Sequence, residues 1–273
     1  RQSESCLMCH ASSATGSVPG LMLHSVYPDR HGYVAATVRS VTNDQTPMKD
    51  RWGGWYVTGS TGSLLHMGNI IAPVTAHEIG NVSNYLAKVN LREGTNVSDL
   101  SDRFNVEPYL RPSSDAVALL VLAHQTYVHN LITIAHYEAR KAMIDGSMNP
   151  VIRASDALTR ALLFAREEEW NGPITGASGF AQEFMNSGRK DKRGRSLKDL
   201  DLNKRLFKYP LSFLIYSESF DALPGSVKEH VYRRLDQVLT GADAGSEFAH
   251  LSDSDRAAIR EILLDTKPDF AQF

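Results

Sequence analysis

Downstream of about residue 75 the apolar positions recur with the period of amphipathic helices. Between Thr75 or Ala76 and Asn90, the residues Ile79, Val82, Tyr85, Leu86 and Val89 share one face of a 3.6-residue repeat. Leu91 to Pro112 is polar, contains Gly94, Pro108 and Pro112, and reads as a connector. The longest helix is predicted from Asp115 to about Asp145, with Ser113 or Ser114 as N-cap and Gly146 as the stop. Further helices are predicted from Ser155 or Asp156 to Trp170, from Phe180 to Met185, from Ser226 to Thr240, and from Asp253 to Leu264 behind a Ser252 cap. Asp199 to Phe220 is dense in aromatic residues and predicts a buried segment broken at Tyr209 by Pro210.

The N-terminal quarter has a different texture. Val34, Val38 and Val41 are spaced among small and polar residues, and Gly54 to Thr58 again combines aromatic and β-branched side chains, which predicts one small hairpin or sheet. Thr42 to Asp50 between them is turn-like. The expected fold is therefore mainly α, with a small β hairpin or sheet near the N-terminal segment. Residues 1–72 would form that segment, and residues 73–273 a helical region packed on it as one globular unit.

Charge narrows the partners. A formal net charge of −2 and a pI near 6.6 argue against a nucleic-acid footprint. No apolar run approaches the ~20 residues that span a bilayer; Ala116 to Ala123 is followed by His124 and Gln125, so no membrane span is expected. Five Lys or Arg between Ser187 and Arg195 predict an exposed basic loop that either keeps the surface solvated or docks an acidic redox partner. Glu167, Glu168 and Glu169 read as a solvated face.

The chemistry is concentrated in Cys6-Leu7-Met8-Cys9-His10, which uses both cysteines of the chain. At this spacing two thiols add across the two vinyl groups of a haem and the adjacent histidine becomes the proximal iron ligand. A structural zinc site would need a fourth ligand such as His24 or His31. A redox dithiol would be expected in a βαβ context that five preceding residues do not provide. On these residues the chain resembles the c-type cytochromes, and Arg51 to Asn69 and Gly194 to Tyr216 are similar to stretches of uncharacterised bacterial cytochrome-c-domain proteins. The resemblance implies one covalent haem c with His10 on the iron and a periplasmic or otherwise extracytoplasmic location. A targeting segment or longer upstream region is expected before residue 1.

Two further features suit a haem. Arg51-Trp52-Gly53-Gly54-Trp55-Tyr56 offers flat apolar surface and hydrogen donors, with Trp55 and Tyr56 as candidates for a haem face and Arg51 for a propionate. His66 and Met67 are adjacent candidates for the sixth iron ligand, and His124 and His129 are second choices. No Ser-His-Asp arrangement or phosphate loop is legible. The function expected is single-electron transfer to a redox partner protein. The alternatives are a peroxidase-like oxidoreductase with an open or exchangeable distal position, or a haem relay subunit of a larger complex.

Overall fold

The computed structural model describes residues 4–72 and 89–273. The helix anticipated around residues 75–90 lies almost entirely outside them. What is described is mainly α with two small antiparallel sheets.

The first described element is α1 (Glu4–His10), which carries the cysteine motif on a short helix. After it, Ser12 caps a single 3-10 turn that ends at Gly16 in the left-handed conformation. β1 (Ser25–Pro28) pairs antiparallel with β2 (Val34–Arg39). The hairpin thus exists, but its first strand lies upstream of the aromatic block, and residues 54–58 are loop. β3 (Gly59–Ser60) pairs with β4 (Thr175–Gly176) and so ties the N-terminal segment to the helical region.

That junction is built around Asp115, which caps α2 (Ala116–Asp145) in place of the serines anticipated. One carboxylate oxygen accepts the Val117 and Ala118 amides, and the other accepts the Ser178 amide and hydroxyl. A Cβ on Gly176 would collide with this carboxylate at 2.3 Å, so β4 needs glycine there. Gly146 ends α2 with φ 73°, as its position predicted.

By length and composition α2 could cross a membrane, but over half of its apolar stretch is buried inside the protein. It is the central helix, apolar nearly all round because neighbours cover most of it. α3 (Met148–Leu162) packs along α2; α6 (Gly225–Leu239) packs on α3, and α7 (Asp253–Thr266) on α6. Two short helices, α4 (Phe180–Asn186) and α5 (Glu218–Asp221), complete the set. Met48, Trp52 and Val57 belong to the same buried cluster as the helical core, so the two halves share one interior.

Two expectations need correction. α3 starts at Met148, with Pro150 tolerated in its first turn, and stops at Leu162 instead of continuing to Trp170. Phe164 and Arg166 take left-handed backbone, which breaks the helix and turns the chain inward. The basic loop is also less free than its composition implied. Arg195 and Arg193 pair with Glu261 of α7, and Lys192 pairs with Asp265. Buried Asp191 gathers the Arg193 and Arg195 amides and the Arg195 guanidinium.

Candidate functional site

On α1 the two thiols are three residues apart, close to one turn of helix, so they are neighbours on its surface. Both are free and exposed. His10 follows in the last turn, and its Nδ1 lies 3.0 Å from the Gly20 carbonyl oxygen. That bond requires the proton on Nδ1 and fixes the tautomer, leaving the Nε2 lone pair as the ligating position. The loop that returns Gly20 to His10 is shaped locally: the Ser12 hydroxyl donates to the Cys9 carbonyl, the Gly20 amide donates to the His10 carbonyl, and Thr15 donates to Val18. Leu7, Met8 and Leu21 are exposed apolar side chains around the motif.

The same loop is clamped to the helical region. Buried Asn130 of α2 accepts the Leu21 amide at 2.9 Å and donates to the Leu21 carbonyl at 2.7 Å, pairing with that backbone as a strand would. A Cβ at Gly20 would meet the Asn130 carboxamide at 2.5 Å, and one at Gly16 would meet Ile134 at 2.4 Å, so two glycines let the loop lie directly on α2. Asn130→Ala leaves both Leu21 backbone groups unpaired in a part-buried setting. It is expected to lower the unfolding free energy by about 2 kcal/mol in urea titration and to speed amide exchange at Leu21. Asn130→Asp keeps the acceptor but turns a carboxylate oxygen on the Leu21 carbonyl and buries a charge, so it should lose at least as much.

The aromatic block divides into an inner and an outer part. Trp52 is buried with φ 66°, its ring edge-on to His66 at 4.9 Å. Trp55 and Tyr56 are more than one-third exposed; the Trp55 indole donates to the His24 carbonyl, and Tyr56 packs on Phe104 at 4.6 Å. Arg51 is buried, and its guanidinium is committed to the Thr46 and Asp44 carbonyls at 2.7 and 2.9 Å. It faces Asp44, Glu167 and Glu168, and in this position it braces the loop rather than presenting itself to a propionate.

His66 and Met67 are both buried. Desolvation holds His66 down to about 4, so the ring is neutral at pH 7. Its Nδ1 accepts the Gly68 amide at 3.1 Å, which places the proton on Nε2 and removes the free lone pair an iron ligand needs. Met67 packs with Tyr27, Ala36 and Ile70. Among the described residues its thioether accepts only the Ser25 hydroxyl, at 3.4 Å, a weak bond for a weak acceptor. Gly53 is required beside it, since a Cβ would approach the Val26 carbonyl oxygen to 2.4 Å as well as the Met67 methyl to 2.7 Å. Asn69, also left-handed, holds this block by bonds to both backbone groups of Val57 and to the Gly94 carbonyl.

Sequence reasoning missed one ring nearby. His24 precedes β1, and its Nε2 is enclosed without a hydrogen-bond partner among the described residues. It had been considered only for zinc, and among the described residues no group of three His, Cys, Asp and Glu side chains is placed to hold a metal ion.

The second-choice histidines separate. His124 is fully buried, with Nδ1 2.8 Å from Asp44 Oδ2 and Nε2 2.7 Å from Ser212 Oγ, and its ring is stacked on Phe164 at 4.3 Å. Both nitrogens are in use, so it is no iron ligand. This is also a Ser-His-Asp chain that spacing did not reveal. Ser212 is wholly buried and its hydroxyl accepts the Leu214 amide, so no substrate carbonyl reaches it and the chain acts as a brace. His129 and His136 line an open groove of about 860 Å³ with Ile132, Tyr137 and Arg140.

The glutamate run is likewise not a uniform solvated face. Desolvation, reinforced by Asp44, pushes Glu167 up to about 8, and its Oε1 accepts the Leu206 amide at 3.0 Å. Comparison with models of known protein families, with curated proteins and with solved structures found no match.

Proposed function

We propose that this protein is an extracytoplasmic, in bacteria periplasmic, c-type haem protein that passes single electrons through one covalently bound haem to a redox partner protein. The observation that carries the reading is the pairing of a Cys-x-x-Cys-His sequence with a His10 tautomer set by the Gly20 carbonyl. The residues fit the group: two free, exposed thiols stand one turn apart, the ligating nitrogen of His10 is left open, and apolar side chains around the motif offer surface for a porphyrin to cover. When bound, the haem supplies a one-electron couple whose potential depends on axial ligand and burial. The chain's part is to orient His10 through Gly20, hold that loop on α2 through Asn130, and offer a second axial side chain.

The test is maturation in a host that attaches haem to such motifs. The expected product keeps its haem after denaturation and acid extraction, has a low-spin spectrum, and loses the covalent link in the Cys6→Ser, Cys9→Ser double variant. A protein that matures without retained haem overturns the reading. A second reading, an oxidoreductase with an exchangeable distal position, is favoured by the unpartnered His24 Nε2. A high-spin spectrum that shifts with peroxide or carbon monoxide selects it.

A further inference from the structure

A cavity of about 560 Å³ opens between the turn after α3, the loop around Lys204 and the approach to α7. Its wall includes Arg166, Glu167, Lys204, Arg205, Glu247 and His250. This volume falls in the range that encloses small organic ligands. Neither the electron-transfer reading nor the Asp44–His124–Ser212 brace uses it.

The lining is biased toward hydrogen-bond donors. Arg166 and Lys204 are exposed, and among the described residues no hydrogen bond or ion pair holds either side chain. Arg205 is paired with Asp255 and also donates to the Lys208 carbonyl, yet its Nε is buried with no hydrogen-bond partner. Of the acids, Glu247 faces Arg160, leaving Glu169 as the exposed opposing charge. Arg205 faces both Asp255 and, at 4.0 Å, Asp201, and Arg160 faces Glu247, so the charges left at the mouth are the Arg166 and Lys204 cations opposite Glu169.

The wall is also rigid. Phe164 (φ 55°) and Arg166 (φ 65°) are held in left-handed backbone that these residues rarely adopt. The turn is fixed from outside: the Glu168 amide donates to the Asp44 carbonyl and the Gln45 carboxamide to the Ala165 carbonyl. Behind it, Phe164 stacks on His124. The backbone that carries Arg166 is therefore set before a ligand arrives, while the exposed Arg166 and Lys204 side chains order on binding.

We propose that this cavity binds the carboxylate of a small organic acid, with Arg166 and Lys204 pairing the carboxylate and Glu167 donating to it from the floor. Glu169 at the mouth opposes a phosphate dianion more strongly than a singly charged carboxylate.

The Glu167 role predicts the pH dependence. The groups facing it are Asp44, Arg51 and Arg205 from its own surroundings, with Arg166, Glu169, Lys204, Glu247 and His250 around the cavity. Below about 8 the Glu167 carboxyl carries its proton and can donate. Above that it is a carboxylate and repels the ligand, so affinity falls as pH rises through about 8. His250, held below its ordinary value, stays neutral through this window.

The experiment is calorimetric titration of the full-length protein with benzoate, succinate and inorganic phosphate at pH 6.5 and 9. Expected are saturable benzoate binding, weaker at pH 9 by up to about tenfold, the limit for one group titrating near 8, and weaker binding of phosphate than of benzoate at pH 6.5. Lys204→Ala and Arg166→Asn should each reduce benzoate affinity about tenfold; asparagine is chosen because it tolerates left-handed backbone. Glu167→Gln keeps a donor on the floor and should flatten the pH dependence while preserving binding at pH 6.5. Circular dichroism confirms that each variant is folded. No saturable binding of either carboxylate, tighter binding of phosphate, or unchanged affinity in both cation variants overturns the proposal.

Discussion

Replacing His124 by alanine is expected to lower the unfolding free energy by about 3–5 kcal/mol, read from the shift in urea midpoint. Three losses add. The Asp44 carboxylate, buried in the loop over residues 164–168, loses its 2.8 Å partner. The Ser212 hydroxyl loses an acceptor or donor at 2.7 Å. A ring-sized cavity opens among Phe164, Phe207 and Phe213. His124→Phe separates these terms, because it refills the cavity with an aromatic ring and leaves only Asp44 and Ser212 unmatched. Combining it with Asp44→Asn removes the buried charge as well. The double variant should recover part of the loss, as replacing both members of a buried pair is far milder than removing one. A loss below about 1 kcal/mol for His124→Ala would mean that the brace contributes little.

The contrast between His124 and the cysteine motif shows what a sequence discloses. Cys6, Cys9 and His10 act through local spacing, so their pattern is visible in five consecutive residues. α6 and α2 were legible for a related reason: the apolar periodicity of α6, and the long apolar run and Gly146 stop of α2, are local signals. Asp44, His124 and Ser212 lie 80 and 88 residues apart, and only tertiary packing brings them together. Asn130 is 109 residues from the Leu21 backbone it clamps. Glu167 was misjudged because its neighbours in the chain are charged, while its neighbours in space are Phe164 and the Asp44 loop. β1 was missed because Ser25-Val26-Tyr27-Pro28 ends in proline, which an edge strand of a two-stranded sheet tolerates.

The sharpest consequence for the haem reading concerns Met67. Met67→Leu conserves volume, so its packing cost should stay below about 1.5 kcal/mol and the protein should fold. It removes the thioether, however, and with it a side chain that would raise the potential of a haem it ligated. In the haem-loaded protein this substitution is expected to abolish the low-spin six-coordinate spectrum or to lower the reduction potential by about 0.1–0.3 V, within the ~0.8 V that axial ligands span. His66→Leu should leave both unchanged, because the lone pair of the His66 ring already accepts the Gly68 amide and its other nitrogen carries the proton. Exchange of the weak Ser25 contact for iron is the smaller rearrangement, since a hydroxyl at 3.4 Å from sulfur gives up little when it turns elsewhere. His24 supplies the opposing outcome. If His24→Gln perturbs the spectrum while Met67→Leu does not, its unpartnered Nε2 is the distal ligand and the centre is a low-potential bis-histidine haem. Potentiometry and optical spectra of the three variants, each carrying covalent haem on Cys6 and Cys9, decide between a thioether and an imidazole opposite His10.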